Sequence, residues 1–129
     1  MEVESSKSHI LRKYFEDLSE KRIYIRNRHK YYWNEITNYC SYFSNSDNSV
    51  LEIGCGTGEL IASIPGKYKV GIDISPKMVE IASKRFQNIN FCVSDAKNID
   101  LDYKFDLIIL SNLIGFVDDV QHVFNNLKQ

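Results

Sequence analysis

Three glycines at a spacing of two, Gly54, Gly56 and Gly58, interrupt this chain directly after the apolar run Val50-Leu51-Glu52-Ile53. A helical pattern resumes at Glu59. A strand that feeds such a turn and then a helix lets the backbone approach a ligand closely and aims unpaired N–H groups at it. A phosphate-cradling loop needs Gly-x-x-x-x-Gly-Lys-Ser/Thr, whereas Glu59 follows the last glycine here. The dinucleotide pattern Gly-x-Gly-x-x-Gly/Ala accepts Gly54 and Gly56 but meets Glu59 at its third place. That puts a carboxylate where a pyrophosphate would otherwise sit. The spacing therefore disfavours an NAD-type oxidoreductase.

The chain around this turn has one domain's length, 129 residues, enough to bury a core. Sixteen basic and seventeen acidic residues leave a net charge of −1, so no global field favours nucleic acid or a membrane surface. Cys40, Cys55 and Cys92 are odd in number, widely spaced and form no CxxC pair. A structural metal and a disulfide framework are both unexpected on that pattern, and a reducing, cytoplasmic setting fits it. The start, Met-Glu-Val-Glu-Ser-Ser, has neither the basic nor the apolar region of a signal peptide. No apolar run approaches the ~20 residues needed to span a bilayer.

Residues 1–48 read as a helical segment ahead of an α/β domain over 49–129. Ile10, Leu11, Tyr14, Phe15 and Leu18 recur at helical spacing, as do Tyr32, Ile36, Tyr39, Cys40 and Phe43. Between the two stripes lies a basic, aromatic stretch from Lys21 to Trp33. It is read as a solvated helix face with tyrosines packed on the core, in preference to a lid over an acceptor. His29 within it is expected to be exposed. Ser44 to Ser49 is a turn-forming loop.

Strand one at Val50–Ile53 reads as central and buried on both faces, which makes Glu52 an anomaly requiring hydrogen bonds or a countercharge. A short helix over 58–64 stops at Pro65-Gly66. Strand two, Lys69–Ile74, carries Asp73 nineteen residues beyond Gly54, where an acid can accept bonds from both ribose hydroxyls. Ser75-Pro76 supplies the cap and first position of the next helix, whose Met78, Val79, Ile81, Ala82 and Phe86 face the sheet. A third strand, Asn90–Val93, leads into Ser94-Asp95-Ala96, and a fourth, Phe105–Leu110, into Ser111-Asn112. Asp118 caps a last helix, with His122 on its polar side. Cys55 and Cys92 read as packing residues.

The remaining pattern, Glu-x-Gly-x-Gly-x-Gly, resembles motif I of the class I S-adenosylmethionine (SAM)-dependent methyltransferases. SAM is a cationic sulfonium without phosphate, which suits a site with carboxylates and no phosphate-seeking lysine. Asp73 matches the family's motif II, Asp95 its motif III and the segment around Asn112 its motif IV. The resemblance implies a cofactor site built from Glu52, Gly54, Cys55, Gly56, Gly58, Asp73, Ile74, Asp95, Ala96 and Asn112. In it, Glu52 would shape the pocket at the methionine end and Ile74 would lie on the adenine face. Asp95 and the Ala96 N–H would meet the adenine edge, and Asn112 the SAM amino group. No catalytic base and no metal site is implied by any residue.

The family's fold implies a Rossmann-like, doubly wound parallel sheet of order 3-2-1-4, truncated before the last three of the usual seven strands. Strand four would then be an apolar edge, implying a fragment, the leading portion of a longer chain, or cover by a second copy. The implied activity is methyl transfer to a small-molecule or saccharide acceptor. A truncated, inactive SAM-fold module that binds or dimerises is the alternative. Arg26-Asn27-Arg28 with the tyrosines that follow, and Asp118-Asp119-Val120-Gln121, also resemble methyltransferase modules fused ahead of glycosyltransferases in surface-polysaccharide synthesis.

Overall fold

The computed structural model describes residues 6–95 and 103–110. These run as α1 (Ser6–Arg28), α2 (Lys30–Tyr42), β1 (Ser49–Ile53), α3 (Glu59–Ser63), β2 (Tyr68–Asp73), α4 (Pro76–Arg85), β3 (Asn90–Val93) and β4 (Leu107–Ile109). The strands form one parallel sheet, as their alternation with helices implies, in the order β3-β2-β1-β4 that the family resemblance led us to expect. Leu51 at its centre pairs with Val70 on one side and Ile108 on the other.

All of β1 is buried, and its alternating side chains feed two cores. Val50 joins Leu60, Ile61, Ile64, Ile89 and Ile109, with Ile36 and Cys40 of α2 packed against them. Leu51 and Ile53 join Val70 and Ile72 on the opposite face, bordered by Phe105, Ile108 and Leu110. The connections β1-α3-β2 and β2-α4-β3 step in the same direction, so a common hand places both helices on one face. From β3 the chain returns across the sheet to β4, beside β1. The order reverses between β1 and β4, and the crevice at such a reversal is where α/β sheets take ligands.

Local signals set most element ends. The Ser75 side chain accepts from the Met78 N–H with Pro76 in the first turn, as the sequence implies. The five-residue α3 is too short to hold itself, and Lys69 of β2 ties down its end. The Lys69 ammonium donates to the carbonyls of Ile61 (3.1 Å), Ala62 (3.3 Å) and Ile64 (3.1 Å). Burial pulls its pKa below the ordinary lysine value. Lys69→Met keeps the stem and removes the charge that meets those carbonyls. We expect it to cost about 1 kcal/mol, read as a lower urea midpoint at unchanged slope.

The N-terminal helices depart from the expected packing. On α1, Ile10 is 65% exposed and Tyr14 50%, while Ser8 and Ser19 are buried. The helix packs against α4 and α2, with Leu11 half-buried. On α2, Ile36 and Cys40 meet the core, but Tyr31, Tyr32, Tyr39, Tyr42 and Phe43 are exposed rather than packed on it. The aromatics cover one another instead, Phe43 meeting Tyr39 and Tyr42 edge to face. His29 is exposed at the start of α2, as read.

Strand β4 is shorter than the apolar run that announced it, and its Leu107 and Ile108 are half-buried with Ile109 buried. Cys92 is exposed on β3, so it is not the packing residue expected, whereas Cys55 is buried. Among the described residues β3 is an edge strand, and its Cys92 and Val93 are exposed. The helix expected from Asp118, with His122, lies outside the described residues.

Candidate functional site

The carboxyl end of β1 turns through Gly54, Gly56 and Gly58 at φ 80°, 56° and 87°. All three sit in the region that only glycine enters at little cost. The turn is fastened to β2 by backbone bonds, since Gly54 N–H and Cys55 N–H both donate to the Ile72 carbonyl, at 2.7 and 3.0 Å. Space demands glycine as well as conformation. A Cβ on Gly58 would lie 2.9 Å from Cζ of Phe91 and 3.2 Å from Cδ2 of Phe86. The same Phe91 ring crosses Gly71 of β2, where a Cβ would stand 2.6 Å from its Cδ1. Phe91 thus packs against both the glycine turn and the strand beside it. A glycine inside an apolar strand, as at Gly71, is a sequence signal for such a close approach, though it was not singled out in the sequence.

Asp73 ends β2 beside this turn and is only 7% exposed. Its Oδ2 accepts from the Gly56 N–H at 2.8 Å and its Oδ1 from the Ser75 N–H at 2.9 Å. One carboxylate therefore joins the glycine turn to the start of α4. The Ser94 N–H donates to the Asp73 carbonyl at 3.0 Å, which continues the β2–β3 pairing and brings Asp95 to the same end of the sheet. Asp95 and Ile74 are half-buried there. Of the ten residues named from sequence, Gly54, Cys55, Gly56, Gly58, Asp73, Ile74 and Asp95 converge at the carboxyl ends of β1, β2 and β3. Ala96 and Asn112 lie outside the described residues.

Glu52, one residue inside β1, is 2% exposed. Burial pushes the Cys40 thiol up from its ordinary pKa, and the negative charge of Glu52 pushes it further the same way. The anomalous strand carboxylate thus sits on the face that α2 covers. Glu59, in the first turn of α3, accepts hydrogen bonds from the Thr57 hydroxyl and the Arg85 guanidinium. A carboxylate paired by arginine occupies the helix start, where a phosphate-binding loop would present bare N–H groups. Arg85 was not singled out in the sequence, because only the packing of α4 beside the turn makes it a partner.

Two residues of α1 also reach this end of the sheet. The Ser8 hydroxyl donates to Asp95 Oδ2 at 2.5 Å, and Arg12 Nε donates to the Ile74 carbonyl at 3.0 Å. Neither was read as a site residue. Among the described residues no group of three or more His, Cys, Asp or Glu could hold a metal ion.

A parallel sheet with an order reversal, a glycine turn and acids at successive strand ends defines a Rossmann-like nucleoside-binding domain. Comparison with known proteins narrows the class. The family described as methyltransferase domain matches residues 50–129, and the chain belongs to it, among the class I SAM-dependent methyltransferases. It is 35% identical over 91 residues to malonyl-[acyl-carrier protein] O-methyltransferase 1 of Ilyobacter polytropus, covering 65% of this chain and 34% of that protein. It is 37% identical over 86 residues to the demethylmenaquinone methyltransferase of Tropheryma whipplei, covering 57% and 36%. The chain spans about a third of the length of these curated relatives.

Solved structures share the fold at low identity. Magnesium protoporphyrin IX methyltransferase from Synechocystis PCC 6803, with bound SAM, superposes with a TM-score of 0.74 at 21% identity, over 98% of this chain and 73% of that one. The N-methyltransferase NodS of Bradyrhizobium japonicum, in complex with S-adenosyl-L-homocysteine, does so at 0.62 and 22%, over 80% and 53%.

Proposed function

We propose that this chain carries the cofactor site of a SAM-dependent methyltransferase acting on a small-molecule or saccharide acceptor. The observation that supports this reading best is the junction at Asp73. Its carboxylate is held by the N–H groups of Gly56 and Ser75, in the plane where the glycine turn ends and Asp95 begins the next loop. A carboxylate offers roughly four acceptor sites, and two backbone donors fix its orientation, so a vicinal ribose diol is a fitting donor pair. Gly54, Cys55, Gly56 and Gly58 then line the methionine end with backbone, and Glu52 adds negative charge beneath it. Ile74 offers an apolar surface to adenine, Asp95 accepts from its amino group and Ala96 donates to its ring. Asn112 meets the amino end. The Glu59–Arg85 pair leaves the helix start without the free positive field a pyrophosphate would need.

When bound, SAM supplies a methyl group already activated on a sulfonium. The chain's own task is to orient it and to exclude water. A hydroxyl acceptor also requires a general base, and no residue in this site is assigned that role. The relatives' names span different acceptors, so the saccharide class rests on this chain's own Arg26 to Tyr32 segment, where Arg28, Lys30 and Tyr31 are exposed. Three free cysteines accord with a cytoplasmic setting, and among the described residues no helix is long and apolar enough to cross a membrane. The second reading is a SAM-fold module that binds a partner or dimerises without turnover.

Calorimetric titration with S-adenosylhomocysteine and with NADH tests the cofactor assignment. We expect saturable, near-stoichiometric binding of the first and none of the second. Binding of NADH alone would overturn the assignment, and a labelled methyl transferred to a sugar nucleotide or glycan would separate enzyme from module.

A further inference from the structure

The residues named for the cofactor site belong to the sheet and its loops, yet two of them are gripped by the N-terminal helix. Ser8 is 4% exposed, and its hydroxyl meets Asp95 Oδ2 across 87 residues of sequence. Arg12 lies one turn further along the same face of α1 and meets the Ile74 carbonyl across 62. The pairing is chemically directed. A serine hydroxyl has a single proton, and Ser8 gives it to Asp95, so Asp95 is held as an acceptor. An arginine has donors only, and it takes the carbonyl of the residue expected against the adenine ring. Ser8 is buried on α1 while Ile10 and Tyr14 are exposed, so the face of the helix that meets this end of the sheet carries polar groups.

We infer that Ser8 and Arg12 are positioning residues of the cofactor site and set its selectivity for a 6-amino purine. The inference rests on the methyltransferase reading above. Ser8 orients the Asp95 carboxylate so that it accepts from an exocyclic amino group and repels a 6-oxo group. Arg12 fixes the Ile74 backbone on which the ring lies.

The test is titration of the full chain and its variants with S-adenosylhomocysteine and with its deaminated, 6-oxo analogue. Ser8→Ala is expected to weaken binding of the amino form roughly tenfold while affecting the 6-oxo form less, so that selectivity narrows. Ser8→Thr, which keeps the hydroxyl, should restore it. In an Asp95→Ala background, Ser8→Ala should add nothing, because the group it orients is gone. Arg12→Met should weaken both forms alike, while Arg12→Gln, which retains a donor, should weaken them less. The inference is overturned if Ser8→Ala keeps full selectivity, or if its effect multiplies unchanged with that of Asp95→Ala. Loss of binding by folded wild-type chain would instead remove the methyltransferase reading, and this inference with it.

Discussion

Asp73→Ala is expected to abolish measurable binding of S-adenosylhomocysteine and also to destabilise the chain, by about 2–6 kcal/mol. The two effects share one cause. The carboxylate is buried and accepts from two backbone N–H groups, Gly56 at 2.8 Å and Ser75 at 2.9 Å. Alanine strands both donors in a site that water reaches poorly, and each orphaned group costs about 1–3 kcal/mol. It also removes the acceptor proposed for the ribose hydroxyls. Asp73→Asn separates the two effects. An amide oxygen can still take one N–H, so stability should recover in part, while the amide's own donors face the ribose and binding stays weak. Urea unfolding beside calorimetric titration gives both quantities. Undiminished affinity in a folded Asp73→Ala protein would show that the ribose lies elsewhere.

Gly58→Ala should be the most damaging single-methyl change in the turn, at about 2–5 kcal/mol. The backbone stands at φ 87°, where an L side chain costs roughly 1–2 kcal/mol. The new methyl would also lie 2.9 Å from the Phe91 ring and 3.2 Å from that of Phe86. Either ring must shift, and overpacking of this kind typically adds about 1–3 kcal/mol. The two contributions can be told apart with Phe91→Leu, which removes the ring and leaves the dihedral untouched. In that background the penalty of Gly58→Ala should fall toward its conformational part. A penalty unchanged by Phe91→Leu would mean the ring is not the obstacle.

Much of the architecture was legible from neighbouring residues alone. The glycine triplet marked a turn at positive φ, alternation of strands with helical stretches implied a parallel sheet, and Ser75-Pro76 marked a helix start. Each is a local signal, because it arises from the conformational preference of one residue or the period of a short run. Connection rules gave the parallel direction and the hand of the crossovers, and the family resemblance implied the strand order. Asp73 and Asp95 could be named because they follow successive strands beyond the glycine turn and because those places resemble the family's motifs II and III.

What escaped the sequence were pairings between residues far apart in it. Periodicity shows that a helix has an apolar face without showing whether that face is the one that meets the protein. On α1, Ser8 and Arg12 meet Asp95 and the Ile74 carbonyl, while Ile10 and Tyr14 are exposed. Phe91 against Gly58 and Gly71, Arg85 on Glu59 and Lys69 on the end of α3 arise in the same way. Sequence by itself determined the parallel sheet, its glycine turn and the acids at its strand ends, since backbone preference and chain connectivity act locally. Only the tertiary structure decided which face of α1 closes on that site, because burial and hydrogen-bond satisfaction depend on what each side chain meets once the chain has folded.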